Sequence, residues 1–544
     1  MRRWFTLAAA ALMTSQAAQG AIAAPVVDAP AGRVEGRESA GMRTFLGIPF
    51  AQPPVGNLRW RPPVPMPKWN GVRSATDFGP ACYQPVSSLS TVYSPRAPLP
   101  MSEDCLTLNI WSPAKAKKAP VLVWIHGGAL VTGSSREEMY DGSKLADRGL
   151  VVVSINYRLG VLGWLAHPQL SAENKDRLSG NYGLFDQIAA LRWVKDNIGA
   201  FGGDASNVTI AGESAGALSV MFLMESPPAQ GLFHKAIAES AYMITMPALR
   251  KGIFGQPSGE AIGEMLQAGL GKAGISELRE IHAGDLTNLA AKLGFAPWGM
   301  VDGKILPEQM VTAFDSGQQS SVPILAGFNQ GEIRSLTILA PKAPATAAAY
   351  EAQIRKNYGD LADAFLKLYP ASDYRESILA TTRDGLYGWT AERLVRDQAR
   401  RGHPSYLYLF DHGYPAMDSA GLHAFHASEL PYVFGTPDRL GPNWPKVPDT
   451  PGEKAMSEAM LDYWASFAAH GQPKAKGQAD WPAYDATRAY MHFADKPKPE
   501  RELMPGMFTL NEEVMCRRRA KGDQPWNWNV GLASPAMPPK VPGC

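Results

Sequence analysis

The chain is predicted to fold as an α/β protein, a mostly parallel sheet with helices on both faces. Two apolar runs of strand length, Val121-Leu122-Val123-Trp124-Ile125 and Leu150-Val151-Val152-Val153-Ser154-Ile155, read as strands buried on both faces. From Asp186, Ile188, Leu191, Trp193, Val194 and Ile198 recur at helical spacing and stop before the breaks at Gly199, Gly202 and Gly203. Strand and helix signals keep alternating along the chain, which is the pattern of a parallel sheet covered by crossover helices.

The remaining elements follow in order. Residues 25–70 open with a short alternating segment. Phe45-Leu46-Gly47-Ile48-Pro49-Phe50 and a proline-rich stretch follow and read as extended, ordered chain, with Trp60 and Trp69 packing it onto a core. Asn109-Ile110-Trp111 is strand-like, and further strand signals lie at Val322–Ala326 and Tyr406–Phe410. Between about Gly252 and Arg400 the pattern is mainly helical, a region inserted over the sheet and not a separately linked domain. No internal repeat is visible, so residues 24–544 are expected to form a single domain.

Composition narrows the partners. The 544 residues are 45% hydrophobic and 19% charged with a net charge of +2, a balance suited to a globular protein with a large core and not to a polyanion binder. Arg517-Arg518-Arg519 is the only basic block, so nucleic acid is not an expected partner. Residues 1–23 carry Arg2 and Arg3, an apolar run from Trp4 to Met13 and small residues beyond, which together read as a cleaved export signal. That run is too short to span a bilayer and no later stretch resembles a span, so stable membrane insertion is not expected. An exported protein, periplasmic or secreted, also suits the four cysteines. Local pairing, Cys82 with Cys105 and Cys516 with Cys544, is the preferred connectivity of the three.

The chemistry concentrates at Asn207–Gly216, NVTIAGESAG. Val208 to Ala211 form a short apolar strand, Gly212-Glu213-Ser214-Ala215-Gly216 breaks it, and a helical pattern through Leu218, Val220, Met221 and Leu223 follows. Strand, G-x-S-x-G and helix in that order make a nucleophile elbow. Side chains flanking such a turn would strike the neighbouring strand and helix, hence the glycines. Ser214 then projects its hydroxyl into a cleft, and the Ala215 N–H points at negative charge developing there. The strand at Val121–Ile125 ends in His126-Gly127-Gly128-Ala129, where consecutive glycines let the backbone approach another group closely. In an α/β hydrolase this position supplies further oxyanion-hole donors, so Gly127 and Gly128 join Ala215. His126 is expected to shape that loop. A serine needs a base, and the base an orienting carboxylate, but order along the chain does not choose among the histidines after Ser214.

Ordered motifs along essentially the whole mature chain decide between them. FLGIPFAQPPVGNLRWRPP, SEDCLTLNIWSP, WIHGGAL, YDGSKLA, INYRLGVLGWLAHP, SGNYGLFDQIAALRWVKDNIGAFGGD, GESAG and ELPYVFG together resemble the type B carboxylesterase and cholinesterase-like family of α/β hydrolases. The resemblance implies a serine hydrolase of carboxylic esters, with a small-molecule ester as substrate and no metal or organic cofactor. It implies Ser214 as nucleophile. It implies Glu332 as acid, because Pro323–Glu332 fits the family's glutamate after a Gly-x-Asn element, although the usual Asp-Glu-Gly reads Gly331-Glu332-Ile333. It implies His426 as base, since His426-Ala427-Ser428-Glu429 fits the family's His-x-x-Glu; His423 is the rival. The resemblance independently implies the Cys82–Cys105 bridge and gives no support to the second. The family's His-Gly-Gly-Gly-Phe becomes His126-Gly127-Gly128-Ala129-Leu130, a change that narrows the acyl side of the cleft. Glu213 is expected to be buried and hydrogen-bonded. Leu130, Met243, Trp298 and Phe328 are candidate pocket walls. A specialised toxin or xenobiotic ester, an amide or a lactone is the alternative substrate class, and a catalytically silent binding protein is the alternative of a different kind.

Overall fold

Side-chain alternation puts Val121, Val123 and Ile125 on one face of the sheet and Leu122 and Trp124 on the other. The same division separates Ile324, Ala326 and Phe328 from Leu325, and Leu407 and Leu409 from Tyr406, Tyr408 and Phe410. Two cores result, one on each face, and strands buried on both sides read as continuous apolar runs for that reason. The computed structural model describes residues 24–86, 91–526 and 530–544. The export signal read at residues 1–23 lies outside the described residues.

The main sheet has 11 strands. They are β1 (Arg37–Ser39), β2 (Met42–Pro49), β3 (Thr107–Pro113), β4 (Ala119–Ile125), β5 (Val151–Ile155), β6 (Gly203–Glu213), β7 (Lys235–Glu239), β8 (Ile324–Asn329), β9 (Ser405–Phe410), β10 (Ala489–Phe493) and β11 (Pro497–Arg501). Their spatial order is β11-β10-β9-β8-β7-β6-β4-β5-β3-β2-β1. From β5 across β4 to β10 every pairing is parallel. The strands β1 to β3 at one edge and β11 at the other pair antiparallel. This is the expected mostly parallel sheet, flanked by helices in the manner of an α/β hydrolase.

Principal helices are α1 (Tyr182–Asn197), α2 (Ala215–Glu225), α3 (Trp389–Arg400), α4 (Pro451–His470) and α5 (Met507–Lys521). Helix α1 starts ahead of Asp186, because the Asp186 carboxylate is a buried anchor and not a cap. It accepts hydrogen bonds from Arg158 N at 3.0 Å and from Arg158 Nε and Nη2 at 2.7 Å each. All residues of α2 are buried, which fits its place between β6 and β7. The helical region expected over Gly252–Arg400 is split by β8. Before it, helices Gly259–Gly269, Ile275–Glu280 and Ala283–Lys292 pack in a cluster around Leu266, Leu278 and Leu286. After it, helices Ala347–Tyr358, Ala362–Leu368 and Tyr374–Arg383 pack around Ile354, Phe365 and Ile378, while α3 joins the main core. The extended chain near the N-terminus is more regular than expected, since Phe45 to Pro49 belong to β2. Trp60 is buried and its indole N–H donates to the Val161 carbonyl at 2.9 Å.

Both preferred disulfides are present, Cys82–Cys105 and Cys516–Cys544. The first closes a loop that carries Tyr93, whose hydroxyl donates to the His426 carbonyl at 2.9 Å. Replacing Cys82 and Cys105 together by serine is expected to lower unfolding stability by roughly 3 kcal/mol, read as a lower denaturant midpoint.

Candidate active site

The carboxyl ends of the parallel strands converge on one site. Strand β6 ends at Glu213, α2 begins at Ala215, and Ser214 between them has φ 56° and ψ −120°. A residue with a side chain occupies this region only at an energetic cost, so the surroundings must hold it there. They do so through contacts too close for side chains. A Cβ on Gly216 would lie 2.0 Å from the Ile125 carbonyl oxygen, and one on Gly212 would lie 2.5 Å from the Gly216 carbonyl carbon. The Ser214 N–H donates to the Glu239 carbonyl at the end of β7, at 2.9 Å.

The loop after β4 lies against this elbow. A Cβ on Gly127 would meet a Glu213 carboxylate oxygen at 2.8 Å and Ser214 Cβ at 3.2 Å. Gly128 has φ 103°, and Ala129 and Leu130 also adopt positive φ. Among the described residues, no backbone or side-chain acceptor takes the N–H groups of Gly127, Gly128 or Ala215. His126 shapes this loop as expected. Its ring stacks on Tyr157 with centroids 4.6 Å apart, Nδ1 lies 2.9 Å from the Gly127 oxygen, and the Tyr157 hydroxyl donates to its carbonyl at 2.9 Å. Burial lowers its pKa to about 4, so the ring is neutral near pH 7.

Glu332 follows β8 and is fully buried. One carboxylate oxygen accepts from Ser240 Oγ at 2.6 Å and from the Asn329 N–H at 2.9 Å. The other is hydrogen-bonded to His426 Nδ1. The backbone of the histidine segment docks on that of the acid: Gly331 N–H donates to the Ala424 carbonyl at 2.9 Å, and Gly331 pairs with Phe425 in a parallel bridge. His426 Nε2 lies 3.0 Å from Glu213 Oε1. That oxygen sits off the N–H direction and makes no hydrogen bond among the described residues. Nor is His426 hydrogen-bonded to Ser214 among those residues. His423, the rival, points elsewhere. Its ring lies between Asp411 and Asp418 and does not reach Glu332.

The electrostatics of the site come from burial. Burial works to lower the His426 imidazole, but Glu213 and Glu332 outweigh it and raise it to about 9. Burial raises the Glu213 carboxyl, against the pull of His426. Glu239, which accepts from the Trp464 indole at 3.0 Å, and Glu429, bonded to the Asn329 amide, are also raised by burial. Glu213 and Glu332 thus flank His426, and Glu429 feels the charges of Glu213, Glu239 and Glu332. The His-x-x-Glu motif includes Glu429, and the Gly-x-Asn element includes Asn329, without giving either a role, whereas Glu239, Ser240, Tyr93 and Tyr387 belong to no motif read from the sequence. Glu239 and Ser240 were findable from their position, since they follow the apolar strand next to the elbow strand, where ligands meet open α/β sheets. The Tyr387 ring lies 5.4 Å from His426, carried by a π-helical turn over Asp384–Gly388. Among the proposed walls, Phe328 and Met243 are fully buried. Phe328 packs behind the site toward Gly388, because its β8 register turns it into the core.

This geometry has close relatives. Residues 23–507 match the model of the Carboxylesterase family. The chain belongs to that family. It is 38% identical to fumonisin B1 esterase of Sphingopyxis macrogoltabida over 86% of this chain and 85% of the relative. It is 37% identical to the para-nitrobenzyl esterase of Bacillus subtilis, over 84% and 92%. A solved PNB esterase superposes with a TM-score of 0.76 at 33% identity, over 89% of this chain and 99% of that one. A carboxylesterase of Geobacillus stearothermophilus gives 0.72 at 34%, with the same coverage. The chain is therefore a carboxylic-ester hydrolase with an α/β-hydrolase fold.

An imidazole acts as a base only when unprotonated, so an activity that used His426 as base would rise as pH passes its pKa. In Glu213→Gln one of the two carboxylates that raise His426 is removed. The acid limb of its kcat/KM profile is expected to move down by roughly one pH unit.

Proposed function

We propose that ester hydrolysis proceeds through Ser214, His426 and Glu332 and a covalent acyl-enzyme. The observation that carries this reading is the Glu332–His426 bond, formed beside a strained elbow that presents Ser214. His426 Nε2 takes the hydroxyl proton as Ser214 Oγ attacks the ester carbonyl, while Glu332 holds Nδ1–H and stabilises the imidazolium. The N–H groups of Gly127, Gly128 and Ala215 receive the oxyanion, each worth about 2.7–4 kcal/mol where such donors have been removed in other enzymes. His426 then protonates the departing alcohol, and water attacks the acyl-enzyme by the same route to release the acid.

The substrate is a small-molecule carboxylic ester. A specialised toxin ester is the second reading, favoured by the likeness to an esterase named for fumonisin B1. Residues 1–23 are proposed to direct export to the periplasm or medium and to be cleaved, leaving 24–544 as a single domain. The two disulfides support an oxidising destination.

Hydrolysis of a p-nitrophenyl acyl series and of fumonisin B1, with the oxidised mature chain, tests these readings. Turnover is expected to fall on the order of a million-fold in Ser214→Ala and only about ten-thousand-fold in Glu332→Gln, because the acid orients and does not react. Equal activity in wild type and Ser214→Ala would refute the serine mechanism. A kcat/KM for fumonisin B1 well above that for every simple ester would select the second reading.

A further inference from the structure

His426 sits in a segment that does not hold its own shape. Ala424 and Ala427 on either side both adopt positive φ, 44° and 67°, although each carries a Cβ. The segment is pressed onto the acid loop so closely that a Cβ on Gly331 would lie 1.7 Å from the His423 carbonyl oxygen. External restraint must therefore set where the base stands.

Part of that restraint is a ladder of alternating charge. His423 Nδ1 lies 2.7 Å from Asp418 Oδ1, and Nε2 lies 3.0 Å from Asp411 Oδ1. The other Asp411 oxygen meets His492 Nε2 at 3.1 Å, and His492 Nδ1 lies 3.5 Å from Glu500 Oε2. Glu500 is held in turn by Lys498 at 2.7 Å and the Tyr490 hydroxyl at 2.8 Å. Asp411 directly follows β9, His492 is in β10 and Glu500 in β11, so the ladder ties the histidine segment to three strands of the sheet. A ring with a carboxylate at each nitrogen satisfies both only as the imidazolium, since the neutral ring has a single N–H.

We propose that His423 is a positioning residue for the ester hydrolysis, a doubly bonded imidazolium that clamps the strained segment and so aligns His426. It rests on the proposed role of His426 as base. Asp411 and Asp418 raise His423 to about 9, and Asp411, despite burial, is held down to about 2 by His423 and His492. His492 is raised as well, chiefly by Asp411. With the histidine raised, its contribution is complete below the unfolded value near 6.5 and is lost as pH climbs through about 9. With Asp411 depressed, its contribution is complete above the unfolded value near 3.8 and is lost as pH falls through about 2. The clamp therefore fails on the alkaline side first within the working range of an esterase.

The test compares His423→Gln and His423→Lys with wild type on p-nitrophenyl butyrate from pH 6 to 10, beside the downfield proton resonance of His426 Nδ1–H. Gln is expected to lower kcat about tenfold at pH 7 with KM within twofold, and to broaden the resonance. Lys keeps a cation between the two aspartates. It is expected to recover most of kcat at pH 7 and to keep the resonance sharp above pH 9, where that of wild type broadens. Wild-type kcat and a sharp resonance in Gln would overturn the clamp, as would the same alkaline broadening in wild type and Lys. Wild type without esterase activity would instead sink the hydrolase mechanism, and the resonance alone would then decide the clamp.

Discussion

Everything at this site depends on backbone meeting backbone with no side chain between. The Ile125 carbonyl occupies the space a Gly216 Cβ would need, and Gly127 abuts Glu213 and Ser214 in the same way. Remove either glycine and the loop after β4 separates from the first turn of α2. Strain at Ser214 is the consequence of this packing, and the bond from its N–H to the end of β7 keeps the strained residue in place.

A second constraint is electrical. Glu213, Glu239, Glu332 and Glu429 are all buried, and Glu213 and Glu332 flank His426. Like charges in a medium that screens poorly cannot all be ionised, and burial raises three of these carboxyls. A protonated carboxyl can donate where a carboxylate cannot. Glu332 differs in receiving a hydroxyl, a backbone N–H and the imidazole together.

Much of this was legible in residue patterns. Strands buried on both faces announce themselves as unbroken apolar runs, and G-x-S-x-G set between a strand and a helix specifies a sharp turn that exposes its serine. The spacing of His426 and Glu429, and the position of Glu332 after an apolar strand, had meaning only through resemblance to a family. Periodicity carries no information on pairs 94 residues apart such as Glu332 and His426. Other features left no local mark. Tyr93 reaches His426 across a disulfide-closed loop, and Tyr387 arrives on a π-helical turn whose sequence, Asp384–Gly388, resembles any helical stretch. Phe328 reads as a pocket wall because it is aromatic and near the acid, yet strand alternation turns it into the core.

By itself the sequence determined the α/β class, the elbow and its serine and the glycine-rich loop after the strand Val121–Ile125, and it favoured local pairing of the cysteines. These are properties of short stretches, set by steric demands and side-chain periodicity within a few residues. Only the tertiary structure decided which carboxylates surround His426, that His423 joins an aspartate ladder, and which aromatics border the site. Those outcomes depend on register between strands and on loops from distant parts of the chain, where the energy lies in contacts and burial that no local pattern records.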